Sequence, residues 1–576
     1  MPLRENEGAF LFPLIFAHPM NFSPLKLFLL SLLSGLLLFA AWPASGIAPL
    51  IFIAWVPLLL LEQHFFLSWK KSKEEGDDTL RIIKKTNLKI FGYAYLAFFT
   101  WNVSTTWWIW NSTGGGAVMA IMANALLMAL TFLFFHITKK RLDGKFSGLV
   151  LIAYWLTFEY IHMHWDLSWT WLTLGNVFST YFNMVQWYEY TGVFGGSLWV
   201  LAVNLLLLGM LTDLFGEKKK LNAKRLVIAA ALLLLPIGLS CLLRPSAETI
   251  SKMRTANVVV VQPNIDPYNE KFSGNYQEQL EKMLKLASAR ADSTTDLIAF
   301  PETAIQEGMW EDQMRSSGSV ETLLSVTEFV PNAGIVIGAS TARAYKPGEE
   351  ISSTARKMED MTWYDDYNTA LFIDHTGNIQ VYHKSILVPG VEKMPFPKIF
   401  GWLENLAIKM GGTSGSLGTQ EERTVFLSGV GKKLKIAPVI CYESIYGGFV
   451  RQYVKNGADI ICIITNDGWW GDTPGYRQHL SYASLRAIET RTGIARSANT
   501  GISCFIAPDG TQYGNTNWWE PIAIKGKVAL CDHQTFYVRF GDYIAIICCA
   551  LSALFACYGL FLRSRDRYRN RTKTGS

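Results

Sequence analysis

Three stretches of this chain end an apolar, strand-like run in a residue able to do covalent or proton chemistry. Residues 435–448 read KIAPVICYESIYGG, where β-branched and apolar residues up to Ile440 give way to Cys441, Tyr442 and Glu443 and then to small residues. That is the pattern of a buried strand running into a turn and a helix start. It predicts Cys441 on an elbow at a sheet edge, with backbone N–H groups of the turn near enough to receive an oxyanion. A lone cysteine in an apolar strand is ordinarily a small core residue. Here it has company: LIAFPETA carries Glu302, and NIQVYHKSILVPGVE carries Lys384 and Glu392. A thiol is mostly protonated at neutral pH, so Cys441 needs a base, and a Glu302 tuned by burial and neighbouring charge would serve. An ammonium at Lys384 would stabilise the charge on oxygen in a tetrahedral intermediate. Glu392 and Glu443 would hold Lys384 or position a second substrate. Taken one at a time, Glu302 and Lys384 read as a surface ion pair.

In this chain order the three stretches resemble the carbon–nitrogen hydrolase (nitrilase) superfamily. The likeness covers about residues 257–532, through the opening VVVVQPNI, the PET around Glu302, the HK at Lys384, the CYE at Cys441 and the run TNDGWWGDTPG beginning at Thr465. Beyond it, QHLSYASLRAIETRTGIARSANTGIS is similar to one branch, the apolipoprotein N-acyltransferases. The resemblance implies an αββα sandwich with Glu302, Lys384 and Cys441 as the catalytic triad at strand ends, and no cofactor or metal. It also implies the reaction: an acyl chain passes from a phospholipid donor to Cys441 as a thioester, then to the α-amino group of a diacylglyceryl apolipoprotein acceptor. Two departures are local, one of them Phe272 where the family often has a Trp after the Lys of the opening segment. In the other, the family's LVPFGE after the lysine is LVPGVE here, which keeps Glu392 and alters the loop beside it.

The elements that position these residues must include a membrane. At 576 residues the chain is too long for one ordinary domain, and half of its residues are hydrophobic, with 34 Phe, 23 Tyr and 20 Trp. Spans are expected at about 24–41, 47–63, 89–109, 117–137, 147–163, 193–214, 226–243 and 543–562, about eight in all, with 9–17 too short to cross and read as interfacial. The small residues of AAWPASG resemble a cleavage site, but the later spans argue for an uncleaved anchor. A net charge of +6 gathered in short loops points to membrane topology and away from nucleic acid. Of eight cysteines, Cys241, Cys548, Cys549 and Cys557 fall in spans, and Cys441, Cys462, Cys504 and Cys531 show no disulfide or zinc spacing.

Lys70, Lys71, Lys73, Arg81, Lys84, Lys85 and Lys89, then Lys139, Lys140, Arg141 and Lys145, then Lys218, Lys219, Lys220, Lys224 and Arg225 occupy alternate loops, and the tail from Arg563 is basic too. The positive-inside rule makes these loops and both termini cytoplasmic. The catalytic domain then lies on the periplasmic, outer side of a bacterial inner (plasma) membrane. Trp101, Trp107, Trp108 and Trp110, with Trp165, Trp169, Trp171 and Trp187, fall on that side, as an interfacial aromatic belt or as the wall of a lipid chamber. Glu159 and Glu189 near span edges are either functional carboxylates or groups in reach of water.

The chain therefore divides into a membrane domain over 1–243, a linker over 244–256, a nitrilase-like α/β domain over 257–540, and a last span with a basic tail over 541–576. Within the α/β domain, strands are expected at about 257–262, 296–300, 334–339, 368–374, 436–440 and 459–464, helices at 275–291 and 477–492, and a polar excursion at 344–365. Trp469 and Trp470 lie in a Gly- and Pro-rich stretch, 466–479, expected to be irregular. Two large indoles on a surface suit either a lid over the site or a core role. The reading with the same triad and another function is a membrane-tethered amidase or nitrilase acting on small amides, which has no need of eight spans. A non-catalytic receptor or transporter accounts for the spans but not for Glu302, Lys384 and Cys441 together.

Overall fold

The computed structural model describes residues 22–75, 79–215, 223–271, 274–393 and 416–574. Long helices stand at each expected span: α1 (Pro24–Ala41), α2 (Val56–Glu74), α3 (Thr79–Thr106), α4 (Gly114–Arg141), α5 (Ser147–His162), α6 (Tyr188–Phe215) and α7 (Ala223–Leu243), with a last one at Tyr543–Thr574. Among the described residues, six of the eight sites are long and apolar enough to cross a membrane. The other two are α3, whose first half carries Arg81, Lys84, Lys85 and Lys89, and α5, which has 16 residues. Residues 9–17, Lys218, Lys219, Lys220 and Phe272 lie outside the described residues.

Polar side chains bind these helices where they meet. Buried Glu62 of α2 accepts from Lys139 (2.6 Å) and faces a His136 ring nitrogen (2.7 Å), both on α4. Lys139 is thus not the loop charge the sequence suggested. It sits in the last turn of α4 and turns inward because Glu62 and Gln63 satisfy its ammonium.

The stretch 244–256 is anchored: Arg244 pairs with Asp509 at 2.9 Å, Ala247–Ser251 forms a short helix, and the first strand starts at Thr255. The strands are β1 (Thr255–Gln262), β2 (Leu297–Ala299), β3 (Ile305–Trp310), β4 (Gly334–Ala344), β5 (Arg356–Lys357), β6 (Trp363–Ile373), β7 (Ile379–His383), β8 (Phe426–Leu427), β9 (Lys435–Ile440), β10 (Ile460–Thr465), β11 (Ile494–Ala498), β12 (Cys504–Ile506), β13 (Gln512–Tyr513) and β14 (Ile522–Ala529). One sheet runs β14-β1-β2-β4-β6-β5, with β3 on β4 and β7 on β6; the other runs β13-β12-β11-β10-β9-β8. The polar excursion at 344–365 carries β5, an edge strand on β6.

Alternation along the central strands builds the layers. In β1, Val258 and Val260 share the core between the sheets with Val439, Ile461 and Ile463, while Val259 and Val261 pack with Leu280 and Met283 of α8 (Tyr276–Ser288) and Val320 and Leu323 of α9 (Gly318–Phe329). β1, β2 and β4 run parallel, as do β9, β10 and β11, so both faces of each are covered and each reads as an unbroken apolar run. Helices α10 (Gly447–Lys455) and α11 (Pro474–Thr490) lie beyond the second sheet, followed by α12 (Phe536–Phe540) and the final helix α13 (Tyr543–Thr574).

The stretch 466–479 departs from its expected irregularity. Thr473 caps α11 by accepting from Gly475 N, and Pro474 occupies the first helical position, where its missing N–H costs nothing. Residues 478–490 of α11 are all buried, because the sheet covers one face and the membrane helices the other. Its polar groups reach across: Gln478 Oε1 accepts the indole N–H groups of Trp171 (2.7 Å) and Trp108 (3.3 Å), its Nε2 donates to Pro43 O (2.7 Å), and Tyr482 takes Trp42 Nε1 at 3.0 Å.

Candidate active site

Cys441 stands at the expected elbow. β9 ends at Ile440, Cys441 itself has a left-handed backbone (φ +49°), and a 3-10 turn follows over Cys441–Ile445. A non-glycine residue held there is strained, so the surroundings must fix it. They do so from both ends. Glu443 Oε2 accepts from Ile440 N (2.8 Å), and the Cys441 carbonyl accepts from Ser444 Oγ (2.7 Å). A His479 ring nitrogen lies 3.1 Å from that carbonyl and 2.9 Å from Ser444 Oγ, while its other nitrogen faces Asp467 at 2.9 Å. Arg496 donates to Asp467 at 2.5 Å, which with His479 holds that buried carboxyl well below the usual range despite desolvation.

Glu302 and Lys384 come from the opposite sheet. Pro301 and Glu302 follow β2, and the chain turns at Thr303 in a left-handed conformation (φ +45°). The turn lies flat on β4 at Gly338, where a Cβ would come within 2.4 Å of Thr303 N and 2.7 Å of the Glu302 Cα. Lys384 follows β7, its N–H bonded to Asn368 O of β6 at 2.8 Å. Its ammonium donates to Glu302 Oε1 and Glu392 Oε1, each at 2.9 Å, and Asn368 Nδ2 donates to the same two oxygens at the same distance. Glu443 secures this side too, accepting from Tyr382 OH (2.7 Å) and Ser385 N (2.6 Å). One carboxylate therefore ties the strand end before Cys441 to the turn after Lys384.

The electrostatics follow from this packing. Burial pushes the Cys441 thiol up, the Glu302 carboxylate pushes it further, and Lys384 only partly opposes them, so the thiol rests protonated. Burial would raise Glu302 as well, but the ammonium groups of Lys384 and Lys271 outweigh it and hold Glu302 low, as a carboxylate. Burial works against a charged Lys384, yet Glu302 and Glu392 reverse it and lift its pKa well above ordinary lysine. Lys271 donates to Glu302 O at 3.2 Å and to Thr303 Oγ1, and burial takes its pKa down to about 8. Glu443 is pushed up to about 7 by burial, against its backbone donors.

A cavity of about 80 Å³ opens at Cys441. The catalytic part contributes Cys441, Tyr442, Trp470 and the 388–391 loop, and the membrane part contributes Trp108, Met119, Ala123, Leu127, Trp169 and Trp171. Trp470 is half-buried, its ring 4.8 Å from Trp108 and 5.6 Å from Trp171, and its carbonyl accepts from Asn111 at 2.9 Å. Trp469 stacks edge-on to Tyr268 at 5.3 Å, outside the cavity. The two indoles thus part company, one roofing the cavity and one clamping the loop from outside. Tyr442 lies parallel to Trp169 at 6.2 Å and donates to Ser168 O at 2.8 Å, fastening the elbow to the membrane part.

Glu302, Lys384, Cys441, Glu392, Tyr442, Glu443 and Trp470 are thus gathered around one centre, and Trp469 is not. Asn368, Lys271 and the chain of Asp467, His479 and Arg496 are new. Trp108 and Trp171 line the cavity, whereas Trp107 and Trp110 are 46% and 61% exposed, so the aromatic residues serve as both wall and belt. Glu159 is buried, accepting from Trp155 (3.0 Å) and Leu174 N (2.8 Å), and Glu189 pairs with Arg491 at 2.5 Å.

Comparison with known proteins matches both parts. The carbon–nitrogen hydrolase family model covers residues 257–531, and that of the apolipoprotein N-acyltransferase N-terminal domain covers residues 34–206. The apolipoprotein N-acyltransferase of Chlorobaculum tepidum is 32% identical over 92% of this chain and 96% of its own length. That of Geobacter metallireducens is 27% identical over 92% and 95%, and that of Thermotoga maritima 24% over 94% of each. With an elbow cysteine, a buried carboxylate and lysine, and a cavity shared with membrane helices, the chain belongs to the apolipoprotein N-acyltransferases, membrane-bound enzymes built on the carbon–nitrogen hydrolase fold.

Proposed function

We propose that this enzyme takes a fatty acyl chain from a phospholipid onto Cys441 and passes it to the α-amino group of the S-diacylglyceryl cysteine that begins an apolipoprotein. The observation that carries this reading is the composition of the cavity at Cys441, where indoles and aliphatic side chains of the membrane helices meet the thiol. Drawing a two-chain lipid with ~28 methylenes into water would cost on the order of 20 kcal/mol, so the catalyst must meet the lipid in the bilayer.

Cys441 Sγ attacks the ester carbonyl while Glu302 takes the thiol proton as the S–C bond forms, so a free thiolate never has to exist in the buried site. The oxyanion of the tetrahedral intermediate is stabilised by the Lys384 ammonium and by the backbone N–H after Cys441. Collapse breaks the C–O bond, and Glu302 returns the proton to the departing lysophospholipid alcohol. In the second half the acceptor amine attacks the thioester, Glu302 takes an amine proton, and the thiol leaves with it. Asn368 and Glu392 keep Lys384 in place, and Glu443 sets the elbow against it. Trp470, Trp108 and Trp171 exclude water that would hydrolyse the thioester.

On this reading residues 1–243 and 541–576 form the membrane part, 244–256 the connection, and 257–540 the catalytic part. The alternate basic loops support a topology with both termini in the cytoplasm and the catalytic part outside the inner membrane. A membrane-tethered amidase accounts less well for a cavity with so little polar lining. The deciding experiment offers the purified enzyme a phospholipid with a diacylglyceryl lipopeptide, and separately short amides. N-acylation of the lipopeptide supports the proposal, and hydrolysis of the amides without lipopeptide acylation overturns it.

A further inference from the structure

One face of α4 lines two cavities in turn. Gly116, Ala120, Ala123 and Leu127 border the chamber at Cys441, and Leu127, Thr131, Phe134, Thr138 and Arg141 border a groove of about 760 Å³ between α4, α5 and α13. These positions follow the three- and four-residue steps of a single helical stripe about 38 Å long at 1.5 Å per residue. Among the described residues, only Leu127 and His162 border both spaces. The His162 ring is fixed, accepting from Trp165 Nε1 at 2.8 Å and lying parallel to Phe158 at 5.3 Å. Leu127 is the half-buried, adjustable side of the neck.

The two volumes differ in what they can hold. The chamber offers about 80 Å³ and the groove about 760 Å³. Whatever is bonded to Sγ of Cys441 must begin in the small chamber, and a chain that continues into the groove has far more room there. An unbranched acyl chain is the substrate group narrow enough to pass the neck in single file and apolar enough to continue. Past the neck, Phe134 and Ile161 are more than half exposed, and Ala553 and Ala556 of α13 leave the groove open along its length.

We propose that Leu127 and His162 form an acyl gauge: the chain of the Cys441 thioester threads between them, its distal methylenes lie in the groove of α4, α5 and α13, and these two residues with the groove set the chain length accepted. This rests on the acyl-enzyme reading above. The test uses the full-length enzyme in detergent, dioctanoyl- and dipalmitoyl-phosphatidylethanolamine as donors, and intact mass to follow the acyl adduct. Leu127→Trp should lower acylation by the dipalmitoyl donor at least about tenfold relative to the dioctanoyl donor, the effect of denying burial to two or three methylenes. Ala553→Trp, in the groove and remote from Cys441, should shift the ratio the same way, and it decides the matter if the Leu127 variant fails to fold. An unchanged donor ratio in a folded Ala553→Trp enzyme overturns the gauge while leaving the thioester intact. Absence of any adduct on the unsubstituted enzyme with either donor overturns the acyl-enzyme reading itself.

Discussion

Burial keeps the Cys441 thiol protonated, so its reactivity depends on a neighbour that is ionised while the thiol is not; Lys384 and Lys271 keep Glu302 in that state. Cys441→Ala, Lys384→Ala and Glu302→Gln should each lower transfer to a lipopeptide at least about a thousandfold with the protein still in the membrane. The double variants should be no worse than the singles, because the three act as a unit. Near-normal activity in any single variant removes that residue from the mechanism. Lys271 adds a pH dependence. Its ammonium, with a pKa of about 8, is present below that pH and lost above it, and Glu302 loses support with it. The acylation rate should therefore fall as pH rises through about 8, and Lys271→Met should abolish that limb while slowing the reaction at neutral pH. Unfolding has the opposite sign. A lysine whose folded pKa is depressed below its unfolded value contributes stability at high pH that is lost as pH falls through the folded pKa. Melting curves above pH 8 that show no loss of stability separate the two effects.

At the scale of elements, two strained turns aim the chemistry, and each depends on what lies beneath it. The Glu302 turn needs Gly338: a methyl there meets backbone atoms that cannot swing away. Gly338→Ala should cut activity by at least about tenfold through displacement of Glu302, while the fold, read by melting temperature, shifts by far less than a core cavity would cause. The sequence announced the central strands, because parallel strands covered on both faces appear as continuous apolar runs such as IICIIT. It did not announce β3, whose IQEGMW mixes buried and exposed positions, the short β5, β8 and β13 at sheet edges, β12 and β14, or the interior β11, whose IARSA is interrupted by Arg496 and Ser497. It marked β7 only as a strand-like stretch before Lys384. Cys441, Glu302 and Lys384 were legible because each follows a strand-like stretch and the three together resemble the carbon–nitrogen hydrolases; singly, Glu302 and Lys384 read as a surface ion pair. Asn368, Lys271, His479 and Arg496 were not, since an isolated polar residue in a strand, turn or helix has no spacing to mark it, and only the folded geometry brings these four to Glu302 and Cys441. Their one sequence signal is polarity at positions that strand or helix periodicity assigns to the interior. The start of α11 was legible in principle from Thr473 followed by Pro474, and the glycines around it obscured the cap.

At the scale of the molecule, the catalytic part is built into the membrane part. From Gln478 to Thr490 every residue of α11 is buried, and Gln478 alone joins Trp108, Trp171 and Pro43. Gln478→Leu would leave the buried Trp171 N–H without its acceptor, while Trp108 keeps Thr105 O at 3.0 Å; at about 1–3 kcal/mol for an unsatisfied buried group, it should lower the melting temperature by several degrees. It should also loosen the wall of the cavity. On the proposed reading this union places a thiol where a bilayer lipid can be brought to it, and Cys441 carries the lipid's acyl chain. The direct test is the intact mass of the purified enzyme after exposure to phospholipid vesicles. The expected result is a gain of one acyl chain, mapped to the peptide bearing Cys441, absent from Cys441→Ala and discharged by a diacylglyceryl lipopeptide. Transfer to the lipopeptide by Cys441→Ala, or by an enzyme that never gains the adduct, would contradict it.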